Sequence, residues 1–205
     1  MARPSHAKEN LIKAAHDLIW ENSYGSTSVD DICERAEVRK GSFYHFFESK
    51  SHLTIATIET AWAEHLPRLN EVFSPLVPPL ERFSRYCEAM LAHQEERRAI
   101  TGHVCGCPLS SLGSEVGTRD ELIRAKVAEI FAHHLRFYES AICDAAREGL
   151  IDGSDAAFKA ATLQTYIQGA CTHARVLNDL HPLRLLNRAI LTILGAFNSS
   201  VERAA

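Results

Sequence analysis

Apolar residues along this chain recur at helical spacing in one segment after another. Leu11, Ala14, Ala15, Leu18 and Ile19 form a stripe at i, i+3, i+4, i+7 and i+8, following a polar arm that reaches to about Ala7. Gly25, just after Tyr24, is expected to end that segment in the left-handed conformation. Val29, Ile32 and Cys33 give a short apolar face that Ala36 extends, Glu37 and Val38 make a turn, and Phe43, Phe46 and Phe47 line a second short helix. A fourth helix begins at Ser49 or Ser51, with Leu53, Ile55, Ile58, Ala61, Trp62 and His65 pointing inward or across. Pro67 is expected to end or kink it. Pro75, Pro78 and Pro79 bracket a loop, and Leu80, Phe83, Tyr86, Cys87, Met90 and Leu91 predict a fifth helix ending near Arg98.

Gly102, Gly106 and Pro108 then interrupt the pattern before Leu109, Leu112 and Val116 resume it. A long helix follows from about Arg119 to Glu148, its stripe carrying Ile123, Val127, Ile130, His134, Phe137, Tyr138, Ala141 and Ile142, with Gly149 and Gly153 in the turn after it. Two last helices span about Ser154 to Asn178 and Pro182 to Val201. The first is rich in small residues (Ala156, Ala157, Ala160, Ala161, Gly169, Ala170, Ala174), and the second aligns Leu183, Leu186, Ile190, Ile193, Leu194 and Phe197. Small faces permit close helix approach, and surplus apolar surface at a chain end suggests a partner. The expected architecture is all-α, with about nine helices.

At 205 residues, 46% of them hydrophobic, the chain can bury a sizeable core. The net charge of −4 argues against a nonspecific polyanion binder. Charge is local, however: between Arg35 and His52, Arg35, Arg39, Lys40 and Lys50 outnumber Glu37 and Glu48 by two. That patch is small enough that two copies are needed for useful phosphate binding. No apolar run resembles a signal peptide or a membrane span, so the protein is read as cytoplasmic and its six cysteines as reduced.

Residues 28–50, SVDDICERAEVRKGSFYHFFESK, carry the chemistry. Thr27 or Ser28 caps a helix whose first turn holds Asp30 and Asp31. A tight turn leads into a second helix with Lys40, Ser42, Tyr44 and His45 on its polar side and Lys50 just beyond. Two short helices so joined, the second basic and polar at its start, form a helix-turn-helix able to enter a major groove.

This stretch resembles the TetR family of bacterial transcriptional regulators, whose pattern Thr-Ser-Val-x-Asp-Ile-x-x-x-Ala-x-Val-x-Lys-Gly-x-Phe-Tyr-x-x-Phe-x-Ser-Lys runs unbroken from Thr27 to Lys50. The resemblance implies a DNA-binding domain over residues 1–50 and a ligand-binding and dimerisation domain over 51–205. It also implies a homodimer through the two C-terminal helices, a palindromic double-stranded operator, a small-molecule inducer and no enzymatic activity or cofactor. Carried over by motif, Thr27, Ser28 and Lys50 contact the DNA backbone, Lys40, Gly41 and Ser42 approach bases or phosphate, and Tyr44 and His45 make phosphate and groove contacts. Arg39 reads a guanine edge. Trp62, Phe83, Tyr86, Phe131, Phe137, Tyr138 and Tyr166 are candidates to line the ligand cleft.

Gly106-Cys107-Pro108-Leu109 resembles a subgroup of that family with a Gly-Cys-x-Leu element, some members of which respond to electrophiles and others to acrylate. Cys107 at a helix N-cap, with Pro108 at the first helical position, favours a reactive thiolate, and His103 is near enough in sequence to assist. A small buried apolar cysteine is the plain alternative. A second reading is a copper- or zinc-responsive repressor using His103, Cys105 and Cys107, with His133, His134, Cys171 and His173 as further donors. A cysteine-dependent enzyme is the remote third, for which no orienting residue or oxyanion motif is evident.

Overall fold

The computed structural model describes residues 5–196, and all regular structure among them is helical. In order these are α1 (Ser5–Glu21), α2 (Val29–Arg35), α3 (Lys40–Phe46), α4 (Lys50–Val72), α5 (Pro79–Thr101), α6 (Pro108–Val116), α7 (Glu121–Arg147), α8 (Ala156–Leu177), α9 (His181–Arg184) and α10 (Leu186–Ile193). They form two compact units. One holds the described residues through His65 together with Pro108–Glu129, and the other holds Leu66–Cys107 with the described residues from Ile130 onward. α4 and α7 each contribute a segment to both.

In the first unit α1 packs on α2 and α3, which also pack on each other. The α1 stripe is the core of this head: Leu11 and Ala15 are fully buried, and they meet a layer that includes the fully buried Ile32, Phe43 and Leu53. Each such side chain contributes about 1.5–3 kcal/mol through burial. Phe46, expected inside, is only half-buried.

The second unit packs α5 against α9 and α10, and α8 against the same two helices. Its centre is aromatic. Phe73 lies 5.9 Å from Phe83, 5.6 Å from Tyr86, 5.5 Å from Phe137 and 5.7 Å from Tyr138, centroid to centroid. Arg82 is buried, its Nε donating to the Val77 carbonyl at 2.8 Å and its Nη1 to Asp144 at 2.6 Å.

Three boundaries differ from the sequence reading. α4 runs through Pro67 to Val72, so the proline neither ends the helix nor prevents the turn beyond it from burying Leu69. The ring removes one backbone donor, but the residues after it remain anchored by core contacts. α5 continues to Thr101 and stops at Gly102, whose φ of 77° is left-handed. The last predicted helix is interrupted at Leu185, giving a four-residue turn and then α10; Phe197 and Val201 lie outside the described residues.

Candidate functional site

The helix-turn-helix is built by local chemistry. Ser28 caps α2: its Oγ accepts the Asp31 N–H at 3.1 Å, and its own N–H donates to Asp31 Oδ2 at 2.7 Å. That backbone donor holds the Asp31 carboxyl below its usual range. Glu37 turns the chain with φ of 55°, while Val38 N–H reaches back to the Cys33 carbonyl at 2.9 Å. Phe43 then anchors α3, fully buried.

The opposite side of α3 faces outward. Arg39, Lys40, Gly41, Tyr44 and His45 are exposed, Tyr44 to 56%, and Ser42 is half-buried. A Cβ at Gly41 would meet nothing within 4 Å, so the protein's own packing does not require glycine there. The bare backbone instead leaves room for a surface that approaches closely. Lys40 Nζ lies 2.7 Å from Asp30, and among the described residues no carboxylate pairs with Arg39.

Two residues expected at the DNA are occupied inside the head. Thr27 is 2% exposed, and its hydroxyl donates to the Ser23 carbonyl at 2.8 Å and the Leu18 carbonyl at 3.3 Å. Lys50 Nζ donates to the Tyr24 and Thr27 carbonyls, both at 2.8 Å, and sits 3.9 Å from the Tyr24 ring centroid. Burial lowers its pKa. Both side chains shape the α1–α2 turn.

A second grip on this turn escaped sequence reasoning. Glu115, in the last turn of α6, accepts the Tyr24 N–H at 3.0 Å and the Gly25 N–H at 2.6 Å. Gly25 is not left-handed; it is glycine where a Cβ would lie 2.8 Å from Glu115 Oε1. Beside it, Ser51 Oγ donates to Asp120 at 2.5 Å and lies 3.2 Å from the Tyr24 hydroxyl. The available signal was a carboxylate in the last turn of a helix, where it opposes the dipole and calls for a donor elsewhere.

In the second unit, the loop between α5 and α6 is held by four hydrogen bonds. Gln94 clamps Gly106 on both sides, accepting its N–H at 2.9 Å and donating to its carbonyl at 3.0 Å. Arg175 donates to the Cys105 carbonyl at 3.1 Å, and Asn178 accepts the Val104 N–H at 2.9 Å. Gly106 has φ of 66°, and a Cβ there would come within 2.9 Å of the Cys171 carbonyl, so glycine is required. Cys107 follows, half-buried, with Pro108 opening α6 as expected.

Nearby, Tyr138 donates to the Tyr86 hydroxyl at 2.9 Å, both rings being buried. Cys171 Sγ lies 3.7 Å from Met90 Sδ. Burial raises the pKa of Tyr86, Tyr138 and Cys171, and a charge on Cys107 adds to all three. Cys87 is likewise pushed up by burial, to about 12.

The other sensing candidates scatter. His103 is exposed, and Cys105 Sγ lies 3.7 Å from the His103 carbonyl and 3.8 Å from Thr101 Oγ1. Trp62 belongs to the first unit, half-buried, 6.3 Å from the His65 ring. Phe137 joins the aromatic centre half-buried, whereas Tyr166 is 40% exposed on α8. Phe73, at the hub of that centre, was missed because Pro67 seemed to end its helix. Among the described residues no three His, Cys, Asp or Glu side chains converge as a metal ion requires, which removes the His103–Cys105–Cys107 metal reading. His134, for one, directs Nδ1 to the Ile130 carbonyl at 3.0 Å.

A helix-turn-helix head with an open recognition face, joined to a helical unit with an aromatic centre, defines a DNA-binding regulator. The model for bacterial regulatory proteins of the tetR family matches residues 11–57, and the tetracyclin repressor-like C-terminal domain matches residues 79–190. The chain therefore belongs to the TetR family of DNA-binding transcriptional regulators. It is 34% identical over 125 residues to the transcriptional regulator AcuR of Cereibacter sphaeroides, covering 59% of this chain and 54% of AcuR. The first curated relatives are matched over only 54–63% of their own length. The crystal structure of a regulatory protein TetR from Rhodobacter sphaeroides superposes with a TM-score of 0.80 at 28% identity, covering 91% of this chain and 97% of that one. The reduced form of Escherichia coli NemR superposes at 0.78 with 22% identity, covering 92% and 97%. These relatives are regulators, not enzymes, and no helix among the described residues is long and apolar enough to cross a membrane.

Proposed function

We propose that this protein is a homodimeric repressor of a palindromic operator, released when a thiol-reactive electrophile modifies Cys107. Residues 1–50 act as the DNA-binding domain and 51–205 as the ligand-binding and dimerisation domain. Arg39, Lys40, Gly41, Ser42, Tyr44 and His45 meet the DNA, Ser28 reaches a phosphate from the start of α2, and Thr27 and Lys50 set the turn behind them.

The observation that carries the sensing reading is the position of Cys107. It is half-buried, whereas Cys33, Cys87 and Cys171 are buried, and it directly precedes a helix that holds the head's turn through Glu115. An adduct there changes the space at the start of α6 and so bears on the Glu115 contact at its far end. The similarity to NemR, of which a reduced form has been crystallised, points the same way.

Dimerisation is supported by the outer side of α8. Phe158 is 66% and Val176 77% exposed, five helical turns apart on one line, and a Cβ at Gly169 between them would meet nothing within 4 Å. Such a face suits close approach of a second copy, bringing two heads to half-sites ~34 Å apart. The test is titration of the protein against the intergenic DNA upstream of its own coding sequence. Salt-dependent binding of one dimer per site is expected, and no preference over unrelated DNA would refute the operator reading.

A further inference from the structure

Gln164 on α8 is the one buried side chain among the described residues whose polar atoms have no partner. It is 8% exposed, and neither its Nε2 nor its Oε1 makes a hydrogen bond. A buried amide costs free energy unless its donor and acceptor are filled, and an apolar residue of the same size would avoid that cost. Its retention calls for a function that the fold itself does not supply.

Its direction is fixed by the helix. Gln164 and Cys171 are seven residues apart, so they fall within about 20° of each other around the axis. Cys171 faces Met90 of α5 and backs on Gly106, the residue before Cys107. α5 and α8 end together, Asn178 at the end of α8 donating to the Gly102 carbonyl at the end of α5, so they run parallel. Counting back from the Met90–Cys171 contact, Tyr86 and Gln164 come within about one turn of the same level. Tyr86 is itself half-filled: its oxygen accepts from Tyr138, and among the described residues its own proton has no acceptor. The neighbouring Phe73 and Tyr138 rings are apolar, and the buried cation of this unit, Arg82, is neutralised by Asp144.

We propose that Gln164, with the Tyr86 hydroxyl as a second donor, recognises the carbonyl group of a small uncharged inducer, and that the electrophile acting on Cys107 is of the α,β-unsaturated carbonyl class. This rests on the sensing role of Cys107 and names what that cysteine sees. The Cys107 sulfur forms a bond to the β-carbon, and the C=C π pair moves onto the carbonyl as an enolate whose oxygen accepts a hydrogen bond from these donors. The thiol proton ends on the α-carbon by way of water, so the thiol adds across the double bond with no oxidant. Gln164 and Tyr86 are positioning residues in this step.

The experiment compares the full-length wild type with Gln164→Leu and Tyr86→Phe, all carrying Cys143→Ser, using 2-cyclohexenone, its saturated twin cyclohexanone, and methyl methanethiosulfonate. Gln164→Leu should leave Tm unchanged or raise it, slow cyclohexenone addition at Cys107 by about tenfold as a lost hydrogen bond implies, and leave the carbonyl-free thiosulfonate reaction unchanged. Tyr86→Phe should show the same selectivity. Cyclohexanone should raise the wild-type Tm and fail to raise that of Gln164→Leu. A fall in Tm of Gln164→Leu, unchanged cyclohexenone kinetics, or equal slowing with both reagents would overturn the assignment. If Cys107 reacts with neither reagent, the covalent reading fails by itself, and the cyclohexanone shift still decides the role of Gln164.

Discussion

Glu115 holds Gly25 by its backbone: the carboxylate accepts the Gly25 N–H at 2.6 Å, across ninety residues of sequence, and leaves no room there for a side chain. With the Tyr24 N–H on its other oxygen, it ties the α1–α2 turn to the end of α6. Glu115→Ala should keep operator affinity within a few-fold yet lose release by inducer, because α6 no longer moves the turn. Gly25→Ala should give the same phenotype, since its methyl displaces only the flexible end of Glu115. Faster amide exchange at residues 24 and 25 in Glu115→Ala would confirm the contact, and normal induction in both variants would remove it from the mechanism.

Tyr44 and Lys50 are expected to separate binding from stability. Tyr44→Ala, on the open face of α3, should leave Tm unchanged while weakening the operator complex and lowering the salt slope by ~1 per lost phosphate contact per head. Lys50→Ala, which unties two carbonyls, should instead cost about 1 kcal/mol of stability. Arg39→Ala should relax preference at one base position per half-site. Identical salt titrations for Tyr44→Ala and wild type would show that α3 does not face the DNA.

How much of this was legible in the sequence depended on distance along the chain. The Ser28–Asp31 cap, the α1 stripe and the Phe43 anchor are local patterns and read directly, as did Pro108 at the start of α6. Lys50 looked like a DNA contact because its motif position says nothing of the carbonyls that fold back to it. Glu115, Gln94 and Gln164 are defined by what lies opposite them in space, and spacing carries no record of that. Ile190 seemed a dimer residue from its stripe, but it is fully buried within the chain. An acidic substitution there would unfold the unit rather than split a dimer.

The dimer is better tested on exposed positions. Phe158→Glu combined with Val176→Glu should yield folded monomers with unchanged helical content and lost operator binding. Light scattering showing a dimer for this double variant would move the interface elsewhere.

Arg82 and Asp144 give a stability prediction with a pH sign. Asp144→Ala strands a buried guanidinium and should cost about 3 kcal/mol in urea unfolding. The Arg82 hydrogen bond lowers the Asp144 pKa, so the stabilisation is full above the ordinary carboxylate pKa and is lost as pH falls through the lower folded value. The gap between wild type and Asp144→Ala should therefore be constant near neutrality and narrow below about pH 4. A gap that widens on acidification would contradict that sign.

Operator release read by fluorescence anisotropy, with Cys143→Ser as the common background because Cys143 is exposed, tests the sensing mechanism most directly. Brief N-ethylmaleimide treatment should free the labelled operator as Cys107 gains one adduct by peptide mapping, while Cys107→Ser binds as tightly and stays bound under the same treatment. Equal release from Cys107→Ser, or an operator that remains bound when Cys107 is fully modified, would contradict it.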